Sequence, residues 1–406
     1  MTYGIPSFKL EKTIIDAEIQ VLRELGVEIR CGVEVGRDVT IPQLREQGFL
    51  AFYIAIGCQG GRLPGVPGEH AAGTDIAVHF LHEALADENQ HMNGRVVVIG
   101  GGNVAVDCAR TAVRFGAEAV SMVCLESRDT MPASKDEIAE AEEEHIEIHT
   151  GWGPKELLQD ESGHVTAVVF KKCLRTIDPE TGKFAPVYDE AETITLPANH
   201  VVFAIGQAIE WGGLLKDTKV TFHRGNYPVA DPLTYQTAEA DIFVGGDVYH
   251  GPKFVIDAIE EGKCAAESLH RYVHKGASLT IGRNRRDFVM LDKENFSVNC
   301  YDHAARQTEA VDPAVEAHSF RDARKTLTSE QVQTETARCL GCGASWVDPN
   351  KCIGCGVCTT KCVFDAIHLK RDHPECSTMM KAEDKLKGIA SMACKRLGQT
   401  LRGRKG

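Results

Sequence analysis

The chain has 406 residues and a formal net charge of −13, which argues against nucleic acid or an anionic membrane as its main partner. No apolar run approaches the length needed to span a bilayer, and the first residues lack the basic and apolar regions of a signal peptide. Eight of the fifteen cysteines crowd between Cys339 and Cys394. These features predict a cytoplasmic protein of about two or three domains whose clustered cysteines bind metal.

Hydrophobic periodicity predicts a helix and a short strand near the N-terminus. Residues 11–30 indicate an amphipathic helix that ends at Gly26, with an apolar face of Ile14, Ile15, Ile19, Val21, Leu22 and Leu25. Residues 49–56 are typical of a short, buried parallel strand, and residues 57–68, rich in Gly and Pro, are typical of a loop.

Strands and helices alternate through the next two hundred residues, which predicts an open α/β sheet, and two such sheets in this chain. The predicted elements are a strand at 95–99, a helix at 103–115, a strand at 120–125, an acidic helix at 136–145, a strand-rich insert at 146–196, strands at 201–205 and 241–244, and a helix at 254–273. Residues 276–335 are charged and aperiodic, which predicts a linker over the surface.

A dinucleotide site is predicted where the strand at 95–99 meets the helix at 103–115. The connecting residues follow the pattern G-x-G-x-x-A, with Gly100 for the tight turn, Gly102 for close approach to a pyrophosphate and Ala105 for packing of helix on strand. The helix N-terminus offers unpaired N–H groups to phosphate oxygens. Cofactor contacts are therefore predicted at Gly100, Gly102, Asn103, Val104 and Ala105.

The choice between NAD(H) and NADP(H) depends on the end of the next strand. Glu126 stands there, 24 residues beyond Gly102, where a carboxylate accepts hydrogen bonds from the ribose hydroxyls and repels a 2′-phosphate. This favours NAD(H). The alternative is that Glu126 is a solvated charge and that Arg128, beyond Ser127, serves a phosphate.

A series of motifs resembles the glutamate synthase small-subunit family of flavin oxidoreductases. They run in order through residues 3–6, 55–57, 100–109, 131–133, 203–207 and 244–247. The resemblance implies an NAD(P)-binding Rossmann-like domain inserted into a split FAD-binding domain. It also implies flavin contacts at Tyr3, Gly4, Ile5, Pro6, Ala55, Ile56, Gly57, Gly246, Asp247, Lys253, Phe254, Val255 and Ala258, and contacts on the nicotinamide side at Ala204, Ile205, Gly206 and Gln207.

The same resemblance divides the chain and identifies two departures from the family. The implied divisions are residues 1–68 and 225–275 for the FAD domain, 69–224 for the NAD(P) domain, 276–335 for a linker, 336–376 for an iron–sulfur module and 377–406 for a tail. The family usually has paired arginines where Leu125 and Glu126 stand. Its FAD domain also opens with a strand–GxGxxG–helix element, and this sequence begins after that element. Either the sequence is a truncated or mis-started version or another polypeptide supplies the element, and we expect these residues alone to hold FAD weakly or not at all.

The C-terminal cysteines follow ferredoxin spacing. Cys352, Cys355, Cys358 and Cys362 form the run C-x2-C-x2-C-x3-C of bacterial ferredoxins. A zinc site made from two C-x2-C pairs would leave the last two of these spacings unexplained, so iron–sulfur is favoured. One or two [4Fe–4S] clusters are predicted, with ligands Cys339, Cys342, Cys352, Cys355, Cys358, Cys362 and Cys376; Cys394 is the weaker candidate.

These predictions combine into an oxidoreductase subunit that transfers electrons between NAD(H) and iron–sulfur clusters through FAD. The hydride step requires no side-chain acid or base, so no catalytic side chain is predicted. The expected partners are other subunits of a redox complex, a ferredoxin or another iron–sulfur protein. Two alternatives stay open, namely a non-catalytic subunit that only carries clusters, and a glutamate synthase small subunit that supplies electrons to a large subunit.

Overall fold

The structure is a computed structural model that describes residues 1–223, 225–274, 276–283, 305–312, 315, 318–339, 352, 354–361, 367–370, 389–391 and 393–394. The chain divides into two compact units, Met1–Gln331 and Val332–Gly406. The domain boundaries expected from the sequence stay predictions.

Helices and strands alternate along the first unit. The helices are α1 (Lys12–Glu24), α2 (Ile41–Glu46), α3 (Ala77–Ala86), α4 (Asn103–Arg114), α5 (Lys135–Glu143), α6 (Asp247–His250), α7 (Val255–Val273), α8 (Ser329–Ala337), which spans the boundary between the two units, and, in the second unit, α9 (Val357–Lys361). The strands are β1 (Phe52–Ile54), β2 (Gly60–Gly61), β3 (Thr74–Ile76), β4 (Arg95–Ile99), β5 (Ala119–Cys124), β6 (Glu147–Thr150), β7 (Trp152–Gln159), β8 (Val165–Ile177), β9 (Phe184–Pro197), β10 (His200–Phe203), β11 (Gln207–Ala208) and β12 (Ile242–Val244).

A five-stranded parallel sheet with the order β3-β10-β4-β5-β6 forms the centre of the middle region, which runs from β3 to β10. Its central strands are covered on both faces, which explains their continuous apolar sequences. Val96 and Val98 pack with α3, α4 and α5 on one face. Val97 and Ile99 face the opposite way and pack with the antiparallel sheet β7-β8-β9. The result is three layers: helices, parallel sheet and antiparallel sheet.

Two short sheets pair segments that come before the parallel sheet in sequence with segments that come after it. β1 pairs in parallel with β12, although nearly 190 residues separate them in sequence, and β2 pairs in antiparallel fashion with β11. Arg45 in α2 donates to both carboxylate oxygens of Asp241, just before β12, at 2.7 and 2.8 Å. The segments before β3 and after β11 therefore form one folded region, and the parallel sheet lies in the chain between its two parts.

The predicted strands and helices of residues 95–273 are present, with ends shifted by a few residues. Two expectations near the N-terminus are wrong in extent. α1 begins at Lys12 and ends at Glu24, and of its predicted apolar face only Ile15 is buried, while Leu25 is 76% exposed. The strand expected at 49–56 is limited to β1, since Phe49 and Leu50 are exposed and make no strand pairing.

Part of the segment that was predicted to be a surface linker packs against the folded first unit. Phe320 is buried and lies 5.4 Å from the ring of Phe115, at the end of α4, and 6.3 Å from the ring of Phe8. Arg114 stacks on Phe8 at 3.8 Å and donates to the carbonyl oxygen of Ser319. Aromatic packing therefore fastens this segment, predicted as a linker, to the helical face of the middle region.

Candidate functional site

One cavity of about 820 Å³ in the first unit is lined mainly by four segments that are distant in sequence, with further residues from α3 and β11. They are the N-terminal residues, the end of β1 with the loop after it, the turn after β12, and the start of α7. Of the predicted flavin contacts, the cavity brings together Tyr3, Gly4, Ile5, Ala55, Ile56, Gly57, Gly246, Asp247, Lys253, Phe254, Val255 and Ala258, and with them Gln207.

The N-terminal segment is held in place by side chains on either side of it. The Lys12 ammonium donates to the carbonyl oxygen of Ile5. Ser7 donates to the carboxylate of Glu88 at 2.6 Å, and the Lys9 ammonium lies 2.5 Å from Glu137 in α5. These contacts place Tyr3, Gly4 and Ile5 against the cavity although they belong to no helix or strand.

The turn after β12 has a backbone shape that requires glycine. Gly246 has φ 74° and ψ −158°, a region that other residues rarely occupy. A Cβ atom at Gly245 would lie 2.1 Å from the hydroxyl oxygen of Tyr53. The turn therefore runs close to β1 and presents Asp247 to the cavity, where burial raises the pKa of its carboxyl above the ordinary value.

The cavity also meets the first turn of α7. The helix has 19 residues and begins at Val255, so its unpaired N–H groups and the positive end of its dipole lie at the cavity wall. The backbone N–H of Lys253 donates to the Asp247 carboxylate at 3.2 Å. This wall suits a ligand that carries or acquires negative charge.

A single cysteine lies in the same wall. Cys58 is buried and donates to the carbonyl oxygen of Asp247 at 3.4 Å. Burial, helped by the Asp247 charge, raises the pKa of its thiol to about 11, so the thiol is neutral near pH 7. A neutral thiol is a poor nucleophile, which argues against thiol–disulfide exchange at this position.

The glycine-rich loop connects β4 to α4 at the carboxyl edge of the parallel sheet. Gly102 precedes the first residue of α4, and no heavy atom lies within 4 Å of a Cβ placed on it, so its outer side is open. A Cβ on Gly100 would lie 2.3 Å from the carbonyl oxygen of Ala204. Gly100 thus permits the close approach of neighbouring strands, and Gly102 leaves room for a ligand.

Residues after β5 form hydrogen bonds to the other side of this loop. Ala133 N–H donates to the Gly101 carbonyl oxygen at 3.0 Å, and Ser134 N–H donates to the Asn103 side chain at 2.9 Å. Val104 and Ala105 follow in the first turn of α4, and Ala105 is fully buried against the sheet. The loop is therefore held in a defined conformation.

Glu126 stands beside the glycine-rich loop. A Cβ on Gly101 would lie 3.1 Å from Oε2 of Glu126, and among the described residues no cation pairs with this carboxylate. Arg128, beyond the exposed Ser127, forms an ion pair with Glu142 at 2.6 Å. The loop therefore faces a carboxylate, while the nearby guanidinium already has a partner.

The chain from Ala204 to Gln207 joins the loop to the cavity. Ala204 N–H donates to the Ile99 carbonyl oxygen at 2.8 Å, at the start of the loop. Three residues later, Gln207 lines the cavity and pairs with Gly61 in the sheet of β2 and β11. Two α3 side chains, Val78 and His82, also line the cavity. Both parts of the fold contribute to this site.

Some predicted contacts do not line the cavity, and some lining residues were not predicted. Pro6 is buried beneath the N-terminal segment, and Ala204, Ile205 and Gly206 lie between the loop and the cavity without lining it. The unpredicted lining residues are Met1, Thr2, Tyr53, Cys58, Gln59, Val78, His82, Gly245 and Ile259. The position of Tyr53 could be predicted from the sequence, because Tyr53 and Ile54 alternate in the strand before Ala55. No local sequence pattern indicated that Val78 and His82 line the cavity.

The described cysteines of the second unit lie on exposed backbone. Cys352 and Cys355 precede α9, and Cys358 lies in its first turn. Gly354 and Gly356 have φ values of 67° and 78°, so the chain turns sharply between these cysteines. Such turns suit a chain that places several thiolates around one cluster. Cys339 is also exposed. The predicted ligands Cys342, Cys362 and Cys376 lie outside the described residues.

Two family models match the chain. The first, "Pyridine nucleotide-disulphide oxidoreductase", matches residues 37–262, and the second, "4Fe-4S binding domain", matches residues 345–368. The first match covers more than half of the chain, so the chain belongs to the pyridine nucleotide-disulphide oxidoreductase family. The fold class is α/β, with the parts expected for FAD and NAD(P) binding followed by a 4Fe-4S module.

Characterised relatives extend this result. A "Putative glutamate synthase [NADPH] small chain" of Cereibacter sphaeroides is 33% identical over 68% of this chain and 69% of its own length. The "NADP(+)-dependent formate dehydrogenase subunit beta" of Moorella thermoacetica is 32% identical over 84% of this chain. The chain spans only about half the length of that relative, 49%.

A solved structure has the same fold. "Mycobacterium tuberculosis FprA in complex with NADPH" matches 67% of this chain and 74% of its own chain, with a TM-score of 0.53 and 18% identity. Within the described residues, no helix is both long enough and apolar enough to cross a membrane.

Proposed function

We propose that this chain is a subunit of a flavin-dependent oxidoreductase that transfers electrons between NAD(H) and iron–sulfur clusters. The observation that carries the proposal is the cavity in which Tyr3, Ala55, Asp247 and Phe254 meet, connected through the chain from Ala204 to Gln207 to a glycine-rich loop. Separate nucleotide and flavin sites joined in this way suit hydride transfer between two rings.

The residues of the cavity have distinct proposed roles toward FAD. Asp247 accepts hydrogen bonds from the sugar-alcohol chain, and the start of α7 stabilises negative charge on the ring system. Tyr3, Ala55 and Ile56 exclude water from the ring. When bound, FAD accepts two electrons as hydride and releases them singly. No acid or base of the chain is required, in keeping with the neutral Cys58.

The loop at 100–105 binds the pyrophosphate of the nicotinamide cofactor, and Glu126 selects NAD(H) by accepting hydrogen bonds from the adenosine ribose. The names of the relatives do not decide this point, because they include both NADPH and NAD enzymes. Among the residues that the structure describes, no cation pairs with the Glu126 carboxylate, and Arg128 pairs with Glu142; both observations support the preference.

The C-terminal module receives the electrons in one or two [4Fe–4S] clusters. The proposed ligands are Cys339, Cys342, Cys352, Cys355, Cys358, Cys362 and Cys376. The similarity to the formate dehydrogenase beta subunit extends over 84% of the chain, against 68% for the glutamate synthase relative. This longer match favours an electron-transferring subunit of a larger redox complex, with a ferredoxin or iron–sulfur protein as partner, over a glutamate synthase small subunit.

The experiment is an anaerobic spectrum of the full chain purified with its partner subunits, with assays of iron, sulfide and flavin, before and after NADH is added. The expected result is iron and sulfide in equal amounts, bound flavin after incubation with FAD, and loss of the flavin absorbance on addition of NADH. Clusters without flavin would favour the non-catalytic alternative. Zinc in place of iron would contradict the proposed module.

Gly102→Val provides the matched control. Its added side chain meets no protein atom near the Cβ position and its φ of −95° suits any residue, so the fold is retained. The valine would block the approach of the cofactor pyrophosphate. We therefore expect the variant to keep flavin and clusters but to lose reduction by NADH. Reduction at the wild-type rate would show that the nucleotide does not bind at this loop.

A further inference from the structure

We infer that Glu261 is a positioning residue for the flavin site, because its buried carboxylate fixes the turn from Gly245 to Asp247. The inference rests on the proposed function for the identity of the ligand. It assigns to a residue outside the cavity the task of holding Asp247 toward it. The turn and its support are visible without any ligand, so the two proposals can be tested separately.

Glu261 lies in the middle of α7 and is only 5% exposed. One carboxylate oxygen accepts the backbone N–H of Gly246 at 2.5 Å, and the other lies 3.1 Å from Nε2 of His250. The carboxylate therefore contacts the turn at Gly246 and the end of α6 at His250. By contrast, the adjacent Glu260 is exposed.

The turn depends on Glu261 because the hydrogen bonds between β1 and the chain after β12 end at Gly245, one residue before Gly246. Gly245 N–H still donates to the Ile54 carbonyl oxygen at 3.2 Å, whereas Gly246 N–H points away to Glu261. Gly246 has a conformation that costs free energy in most sequence contexts. The following helix α6 has only four residues and is too short to be stable alone.

A buried carboxylate is unfavourable unless it is hydrogen-bonded, and an apolar side chain would often serve stability as well. Glu261 therefore does something that an apolar residue could not do, which is to accept a backbone N–H and a histidine N–H together. Asp247 is the residue that benefits, since it follows Gly246 directly and lines the cavity. Loss of the Glu261 contacts would let Asp247 move away from the ligand.

Several charged and titratable groups surround this carboxylate. His250 comes from α6, Tyr53 from β1, Tyr235 from the loop before β12, Asp247 from the turn, and Lys253, Asp257 and Cys264 from α7 and the residues before it. Burial has the largest effect and raises the pKa of Glu261, while the Gly246 N–H opposes that rise. Burial, with the charge of Lys253, lowers the pKa of His250, and Nε2 of His250 lies 3.1 Å from the Glu261 carboxylate.

The test compares Glu261→Gln with the control Glu260→Gln in the flavin-free full chain. Hydrogen–deuterium exchange at single residues measures the protection of Gly246 N–H, with Gly245 N–H as the internal reference. We expect about tenfold faster exchange at Gly246 in Glu261→Gln, because a charge-assisted hydrogen bond becomes a neutral one. The control should leave both amides unchanged. FAD titration should show a dissociation constant about tenfold higher for Glu261→Gln only.

The pH dependence of Gly246 protection distinguishes this role of Glu261 from a purely structural one. In the wild type, protonation of Glu261 turns its charge-assisted hydrogen bond from Gly246 N–H into a weaker neutral one, so the protection of Gly246 relative to Gly245 should fall as pH falls through the raised pKa of Glu261. In Glu261→Gln this slope should be absent. The wild-type exchange series needs no variant, so it decides the question even if Glu261→Gln fails to fold.

The outcomes separate the two proposals. Unchanged protection of Gly246 in Glu261→Gln, or wild-type protection that does not vary with pH relative to Gly245, would overturn the inference while leaving the proposed function intact. A complex with the partner subunits that contains no flavin, while the chain shows the expected exchange, would overturn the proposed function and leave the role of Glu261 in holding the turn.

Discussion

Replacing Glu126 by Gln tests whether one carboxylate sets the cofactor preference. The variant keeps the shape of the side chain and removes its charge. In the structure the carboxylate lies beside Gly101 and has no cation partner among the described residues, so its oxygens are accessible to a ribose. The change should therefore alter nucleotide binding without altering the fold.

The magnitude follows from the change of a charge-assisted hydrogen bond into a neutral one. A hydrogen bond to a charged group contributes about 1.5–3 kcal/mol and a neutral one about 0.5–1.5 kcal/mol, so the difference is about 1–1.5 kcal/mol, and each 1.4 kcal/mol changes a dissociation constant about tenfold. The dissociation constant for NAD⁺ should therefore rise about 5- to 12-fold in Glu126→Gln for each hydrogen bond that the ribose donates. The constant for NADP⁺ should fall, because the repulsion between the carboxylate and a 2′-phosphate is removed. Added salt should weaken the second effect more than the first.

Calorimetric titration of the full chain with NAD⁺ and NADP⁺ measures both constants. Glu142→Gln is the matched control, since it removes a nearby carboxylate and releases Arg128 from its ion pair but leaves Glu126 in place. We expect it to leave NAD⁺ binding unchanged. Tighter binding of NADP⁺ than NAD⁺ by the wild type, or an unchanged NAD⁺ constant in Glu126→Gln, would refute the argument. A shift toward NADP⁺ in the control alone would make Arg128 the determinant.

Two further predictions concern the folded core and the cavity thiol. Phe320→Ala should lower the free energy of unfolding by about 3–5 kcal/mol in urea titrations, because Phe320 is buried between aromatic rings, whereas the exposed Phe184→Ala should change it by less than about 0.5 kcal/mol. The Cys58 thiol, with a pKa of about 11, should react with iodoacetamide far more slowly at pH 8 than the exposed Cys31, and its rate should keep rising with pH toward 11.

Each of these predictions has a clear contrary result. Equal effects of the two phenylalanine substitutions would show that residues 318–325 are not packed on the core. Rapid modification of Cys58 at pH 8, located by mass spectrometry of the labelled peptides, would show a reactive thiol in the cavity and would reopen thiol chemistry for this site.

Local patterns in the sequence were sufficient for the parts of the fold whose physics is local. The strand at 95–99, the glycine-rich turn and the helix after it follow from consecutive residues, and the structure has all three. The carboxylate at the end of β5 was placed beside the loop because neighbouring parallel strands end at the same edge. The cysteine spacing likewise predicted a 4Fe-4S module, which the family model matches.

Other features depended on contacts between distant residues and could not be predicted from local patterns. Helical periodicity predicted an apolar face for α1, but periodicity does not reveal whether another element covers that face, and Leu25 is exposed. No sequence signal placed His82 in the cavity or Phe320 in the core, since both positions depend on how separate segments pack.

The sequence by itself determined which chemical groups this protein possesses: a glycine-rich turn between a strand and a helix, an acid after the next strand, and thiols at ferredoxin spacing. Only the tertiary structure decided which residues share a cavity and which residues support them. Glu261 shows the physical reason. In the sequence it is one acid among several in a helix, and its burial against the Gly246 amide arises only when α7 packs beside the turn after β12.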